Sequence, residues 1–218
     1  MTKRLGLLWL ALLSVMLPIE LTVAAEPFKA GTDYIELPFP QTVETGDRIE
    51  VREFFWYGCP HCYAFEPALS AYAKKLPAHV RFIRTPGTAP SWLMQAQAFY
   101  TFEVLGVAEK LHLPFFEAWH VKNRRLNDEA SIAEFAAEHG VDKAKFKQAF
   151  DSFAVRSRME HAQKLMAGFM IEGVPTIAVD GRYVTSPTIT KSETATLKVI
   201  DFLIQKAAKQ RKKPAIKD

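Results

Sequence analysis

The chain has 218 residues, 49% of them apolar, with only two cysteines and a formal charge of +4 at pH 7. That size buries a core without covalent help, so a small disulfide-stapled module is excluded and one elaborated domain or two intimate ones are expected. The positive balance makes no case for nucleic acid: six Lys or Arg and one Asp fall in residues 206–218, "KAAKQRKKPAIKD", while residues 26–205 are slightly acidic, so the basicity reads as a solvated, frayed tail.

Met1–Ala25 has the layout of a cleaved signal peptide. Lys3 and Arg4 start it, Leu5–Leu17 form an apolar core, and Val23-Ala24-Ala25 gives a small-residue cleavage site. Pro18 and Glu20 interrupt the apolar run short of the roughly 20 residues a membrane span needs. Export follows, in bacterial terms to the periplasm, an oxidising compartment in which a disulfide persists. Residues 26–48 read as an extended lead broken by Pro27, Gly31, Pro38, Pro40 and Gly46, with a short strand at Tyr34–Leu37. Ile49–Tyr57 is a stronger strand, rich in β-branched and aromatic residues. It runs into the cysteine pair, after which Phe65, Leu69, Tyr72, Ala73 and Leu76 recur at helical spacing up to Pro77. A second strand at Val80–Arg84 completes a βαβ unit.

From Ser91 to about Gly168 the pattern is helical throughout. Ser91 is read as one N-cap and Asp142 as another. Ser131 and Glu134 fit a capping box, with Asn127 or Asp128 as an alternative start. A long amphipathic helix carries Val155, Met159, Ala162, Met166 and Phe169. Strand character returns at Thr176–Val179 and Arg182–Val184, around an Asp180-Gly181 two-residue hairpin turn. A last helix, from about Lys191 to Ala208, places Thr194, Leu197, Ile200 or Asp201, and Ile204 on one side. The order β, βαβ, helical block, ββα places an all-helical insertion within an α/β domain. The division expected is 26–86 with 163–208 for the α/β part, 87–162 for the insertion and 209–218 for the basic tail.

The two cysteines stand in "EFFWYGCPHCYAFEP", residues 53–67. A structural zinc site needs four ligands, and His79, His112, His120, His139 and His161 show no ligand spacing; each reads as a surface or packing residue, and no metal is expected. Covalent haem requires a histidine directly after the second cysteine, where Tyr63 stands. A plain staple would close too small a loop to stabilise much. Redox exchange accounts for the whole motif. Cys59 at a helix start has unpaired backbone N–H groups and the helix dipole to favour a thiolate, Pro60 suits the first helical position, and His61 adds a donor or a positive charge. Cys59 is then the nucleophile and Cys62, one turn on, the resolving thiol that closes the Cys59–Cys62 disulfide. A stabilised thiolate makes the disulfide the stronger oxidant, by about 30 mV per tenfold gain in acidity. Strand alternation puts Glu53 on one face with Ile49, Val51 and Phe55, where burial raises its pKa and fits it to shuttle the proton of Cys62. Glu66 reads as helix-surface charge that tunes the site weakly.

"FFWYGCPHCYAFEP", the later "GVPT", the leader and the helical block together resemble the DsbA disulfide oxidoreductases of Gram-negative bacteria. The resemblance implies a thioredoxin fold with an inserted helical domain, a cis peptide at Pro175 beside the disulfide, and a substrate-binding edge at Val174. It implies donation of the disulfide to reduced, unfolded exported proteins, re-oxidation by a quinone-linked inner-membrane partner of the DsbB type, and no cofactor. Glu53 matches the family's buried acid. Arg84 stands where its best-known member has a lysine, and Tyr57-Gly58 where that member has two phenylalanines. A disulfide isomerase or reductase, or a periplasmic peptide-binding chaperone with an incidental disulfide, are the alternatives. Residues 26–48 are too short for a separate dimerisation domain, so a monomer is expected.

Overall fold

Strand β2 (Ile49–Phe55) is buried along its whole length, and both sides of the molecule are assembled on it. The computed structural model describes residues 26–212; the leader expected at 1–25 and the last six residues of the basic tail lie outside them. The sheet order is β1-β5-β4-β2-β3, with β1 (Ile35–Glu36), β3 (Val80–Pro86), β4 (Thr176–Val179) and β5 (Tyr183–Thr185). β2 is parallel to β3, pairing Glu53 with Arg84, and antiparallel to β4, pairing Glu53 with Ile177. The parallel pair needs a crossover, supplied by α1 (Pro60–Ala73). The outer strand β3 ends at Pro86, which has no N–H to offer a further strand.

Alternation along β2 divides its side chains between two layers. Ile49 and Val51 pack with Phe65 and Leu69 of α1 and with Val199, Ile200 and Leu203 of the C-terminal helix α8 (Glu193–Lys212). Phe54 faces Leu165 and Phe169 at the end of α6 (Phe153–Gly168). Beside Phe54, Arg52 is buried and ion-paired: Nε donates to Glu50 at 2.8 Å, Nη1 to Thr85 at 2.7 Å, and Nη2 lies 3.2 Å from Glu44. His161 of α6 also binds Glu44, so one ionic chain fastens the extended lead to the sheet and the helical layer.

Between β3 and β4 lie a 3₁₀ turn (Pro90–Trp92) and helices α2 (Leu93–Val104), α3 (Ala108–His120), α4 (Glu129–Glu138), α5 (Lys143–Phe150) and α6. Their shared core, with Phe102, Phe115, Phe135, Phe146 and Leu111, continues directly into Phe55, Tyr57 and the two cysteines. α6 runs unbroken through residue 162, where the insertion was expected to end, because Ala162 and Leu165 belong to one continuous buried stripe.

Several local readings are corrected. Ser91 sits inside the 3₁₀ turn and caps nothing, since Pro90 starts that turn. The N-cap of α4 is Asp128, whose carboxylate accepts from Ser131 N–H at 2.9 Å, the alternative start rather than the capping box. Asp142 caps α5 in the same way through Lys145. At the hairpin, Asp180 and Gly181 both take positive φ, 54° and 68°, as a type I′ turn requires, yet the ladder resumes at Val179–Tyr183 and leaves Arg182 outside it. A side chain at Gly181 would meet the Gln41 carbonyl at 2.1 Å, so that position is closed to other residues. The final helix starts later than expected because Pro187–Thr190 forms its own turn, α7, ended by Lys191 at φ 61°. Its buried side shifts to Thr196, Val199, Ile200, Leu203, Ile204 and Ala207. The basic stretch is not frayed from residue 206: Lys206 pairs with Glu26 at 2.8 Å, and Arg211 forks onto Asp180 at 2.5 and 3.0 Å.

Leu203 is fully buried and Thr194 is exposed, which distinguishes the observed helix face from the expected one. Leu203→Ala should cost about 2–5 kcal/mol in urea unfolding and Thr194→Ala within roughly 0.5 kcal/mol.

Candidate active site

At the end of β2 the chain turns through Trp56-Tyr57-Gly58, held by Cys59 N–H to the Trp56 carbonyl at 3.0 Å. Cys59 is extended (φ −83°, ψ 116°) and is the N-cap of α1, with Pro60 at the first helical position. Its sulfur accepts the Cys62 N–H at 3.4 Å and faces the Val174 carbonyl, also at 3.4 Å. The Val174–Pro175 bond is cis. Both cysteines are free thiols, Cys59 almost covered and Cys62 entirely so.

Their environments separate the two sulfurs. A hydrogen bond from the Cys62 thiol draws the Cys59 pKa down to about 6; burial opposes this, and the N–H groups of Cys62 and His61 and the charge of exposed His61 reinforce it. Cys62 is pushed far above the ordinary thiol range, first by burial, then by its hydrogen bond to Cys59 and by the negative charges of Cys59 and Glu53. One sulfur is a thiolate at neutral pH and its neighbour holds its proton.

The residues before the pair explain the "WYG" spelling. A Cβ on Gly58 would lie 2.2 Å from the Trp56 indole, so glycine is what lets Trp56 fold back and stack on Trp92 (4.8 Å, 12°). Tyr57 is buried among Phe55, Phe115, Phe116 and His112. Helix α3 grips this turn at two points eight residues apart. His120 Nε2–H donates to the Tyr57 carbonyl at 2.8 Å and stacks on Tyr63 (4.9 Å, 7°), while His112 Nδ1 meets the Tyr57 hydroxyl at 3.0 Å.

Beneath the cysteines lies a buried charge cluster. Arg84 Nε donates to Glu53 at 3.2 Å, Nη2 to Glu66 at 2.9 Å and to Ser70 at 2.7 Å, and Nη1 to exposed Glu109 at 3.2 Å. The register that pairs Glu53 with Arg84 across β2 and β3 makes this unavoidable. Burial raises the Glu53 pKa, the nearby Glu66 charge raises it further, and Arg84 only partly offsets both. Burial also works against the Glu66 carboxylate, but its polar partners outweigh it and hold Glu66 below the usual range. Among them His112 comes first, followed by the charge of Arg84 and the Ser70 hydroxyl, although burial holds the pKa of His112 itself below its ordinary value.

Glu66 is therefore not helix-surface charge; it is 2% exposed, since α1 turns that side toward β3 and α3. The histidines also divide differently from expectation, as His112 is buried in this cluster and His120 holds the cysteine turn. Neither carried a sequence signal, because each approaches the site from α3, some fifty residues away in the chain. The donor atoms of Glu53, Glu66 and His112 all lie within 4.8 Å of one another, and Arg84 supplies the positive charge among them. At the other side of the pair, Val174, Pro175, Ile35, Met170 and Ile189 line an open groove of about 290 Å³, and the Val174 N–H has no partner among the described residues.

The rate of Cys59 alkylation should follow a single titration centred near pH 6, with Cys62 unreactive over the same range; a midpoint above 8 would contradict the geometry. Arg84→Met leaves a buried Glu66 charge without its cation and should cost about 3–5 kcal/mol in urea unfolding, most of it recovered by adding Glu66→Gln.

A family model described as a DSBA-like thioredoxin domain matches residues 83–194. The thiol:disulfide interchange protein DsbA of Pseudomonas aeruginosa is 39% identical over 209 residues, spanning 95% of this chain and 99% of the relative. That of Azotobacter vinelandii is 43% identical over 178 residues, 81% of this chain and 83% of the relative. The crystal structure of Pseudomonas aeruginosa DsbA aligns at a TM-score of 0.83 and 42% identity, over 87% of this chain and 99% of that one. The order β, βαβ, helical block, ββα is thus a thioredoxin fold with a helical insertion, and the chain belongs to the DsbA family of thiol:disulfide oxidoreductases.

Proposed function

We propose that the protein donates a Cys59–Cys62 disulfide to reduced, unfolded exported proteins. The observation that carries this reading is the contrast between the two sulfurs, Cys59 acidified to about 6 and Cys62 held protonated. A substrate thiolate attacks Cys59 Sγ, the Cys59–Cys62 bond breaks, and the electron pair goes to Cys62, which takes a proton from Glu53. A second substrate thiolate then attacks the substrate sulfur of the mixed disulfide and expels the Cys59 thiolate, a good leaving group because of its low pKa. The substrate loses two electrons and the protein gains them. Val174, with its free N–H beside Pro175, gives an extended substrate a backbone partner next to Cys59, and the apolar groove takes a neighbouring side chain. Pro60 and His61 set the acidity of Cys59, and Glu53 and Glu66 govern the proton of Cys62.

In this reading the protein acts as a monomer in the periplasm of a Gram-negative bacterium after loss of residues 1–25, without a cofactor, and an inner-membrane oxidase of the DsbB type restores the disulfide. No helix among the described residues is long and apolar enough to cross a membrane. Residues 26–86 together with β4, β5, α7 and α8 form the catalytic domain, and helices α2 to α6 the insertion that covers it.

The test is oxidation of a reduced two-cysteine peptide by the purified protein, with its equilibrium against glutathione measured at several pH values. Oxidation should be stoichiometric and lost in Cys59→Ala. The folded Cys59 pKa lies below its ordinary value of 9.0, so its stabilisation of the reduced form is complete above pH 9 and lost as pH falls through 6. The reduced protein should therefore unfold at higher urea than the oxidised one at pH 8, and this advantage should shrink toward pH 5. A disulfide that survives millimolar glutathione at pH 7 would instead mark a reductase or a chaperone.

A further inference from the structure

Among the described residues, Glu172 is the only charged side chain in the lining of the groove beside Val174. We infer that its carboxylate gives the groove a charge preference, so that reduced chains carrying Lys or Arg next to a cysteine are oxidised ahead of those carrying Asp or Glu there. The preference rests on Cys59 being the sulfur that clients attack.

The backbone on either side of Glu172 is pinned. α6 ends in a Schellman motif: Met170 takes φ 53°, its N–H donates to the Ala167 carbonyl at 3.0 Å, and the Ile171 N–H donates to the Met166 carbonyl at 2.9 Å. Glu172 is the next residue. Beyond it the Thr176 hydroxyl donates to the Gly173 carbonyl at 2.7 Å, and the Val174 carbonyl lies 3.4 Å from Cys59 Sγ. The carboxylate thus hangs on a braced segment, two residues from the place where a client sulfur must arrive. Glu172 is exposed and has no ion-pair partner among the described residues.

Nothing beside it offsets the charge. The last turn of α6 holds no basic residue, although the carbonyl end of a helix carries partial negative charge that cations stabilise. The rest of the lining is apolar or neutral, with Ile35, Met170, Val184 and Ile189 beside Ser186 and Thr188. A client whose backbone lies against Val174 brings the side chains next to its cysteine within reach of Glu172, because long side chains span the roughly 7–8 Å between diagonal neighbours on paired strands. An ammonium or guanidinium there meets both the carboxylate and the helix end, whereas a carboxylate meets charge of its own sign. Rim charges act mainly on the rate of encounter, and an exposed pair contributes up to about fivefold. Glu172 therefore ranks clients without excluding any.

Oxidised protein is mixed with reduced two-cysteine peptides that differ only in carrying Lys, Gln or Glu on both sides of each cysteine, and peptide disulfide is measured after an acid quench. Each native rate is divided by the rate of Glu172→Gln on the same peptide, which cancels the peptide's own thiol acidity. At low salt this ratio should be about threefold higher for the lysine peptide than for the glutamine peptide, and about threefold lower for the glutamate peptide. Glu172→Lys should invert the order, and roughly 0.5 M salt should flatten it. Glu160→Gln, which removes an exposed carboxylate of α6 outside the groove, should keep the native order. A ratio equal for all three peptides, or an order lost as fully in Glu160→Gln as in Glu172→Gln, overturns the inference. Oxidation of the glutamine peptide by the native protein leaves the cysteine reading standing whichever way the ratios fall, whereas failure on all three peptides removes that reading itself.

Discussion

Two carboxylates and one guanidinium, buried together under a pair of thiols, are the constraint that organises this molecule. A charge taken out of water is tolerated only when paired and hydrogen-bonded, and Arg84 has to serve Glu53 and Glu66 at once, with Glu109 at its outer edge. Burial wins at Glu53, whose pKa rises, and pairing wins at Glu66, whose pKa falls. One site thus holds a carboxylic acid and a carboxylate side by side at neutral pH, the arrangement a proton carrier needs.

The helical insertion completes this arrangement as well as covering it. His112 and His120 reach the same turn from one face of α3, one at the hydroxyl of Tyr57 and the other at its carbonyl. Phe115 and Phe116 between them seal the aromatic layer that joins the two parts of the core. The low dielectric that this layer creates is what raises Cys62 and Glu53, so the redox contrast of the cysteines is partly a property of the insertion.

Much of this was legible in the chain. The period-2 run of β2, the α1 stripe and the Asp-Gly turn each carry their own local signal, and Glu53 could be placed on the inner face by counting alternate residues. The CPHC motif located the chemistry because a helix start, a proline without N–H and two thiols one turn apart allow few other uses. Glu66 was misjudged because a single helix does not reveal how many of its sides are covered; α1 is packed by the sheet and α8 and also meets α3. His112 and His120 were invisible for a related reason. Their role depends on where α3 docks, and docking is decided by Phe102, Phe115 and Phe135 meeting across helices rather than by any pattern near the histidines. The start of the basic stretch was misread since Arg211 finds Asp180 only once α8 lies along the hairpin.

A thiol:disulfide oxidoreductase has to control where other chains can adhere to it. Its outermost strand, β3, carries Arg81 on its exposed surface, turns Arg84 inward and closes on Pro86. Charge and a missing N–H are what keep the margin of a sheet from recruiting foreign backbone. The long flank of the sheet is thereby closed to an added strand, whereas the groove beside Val174, with Glu172 in its lining, stays open next to Cys59.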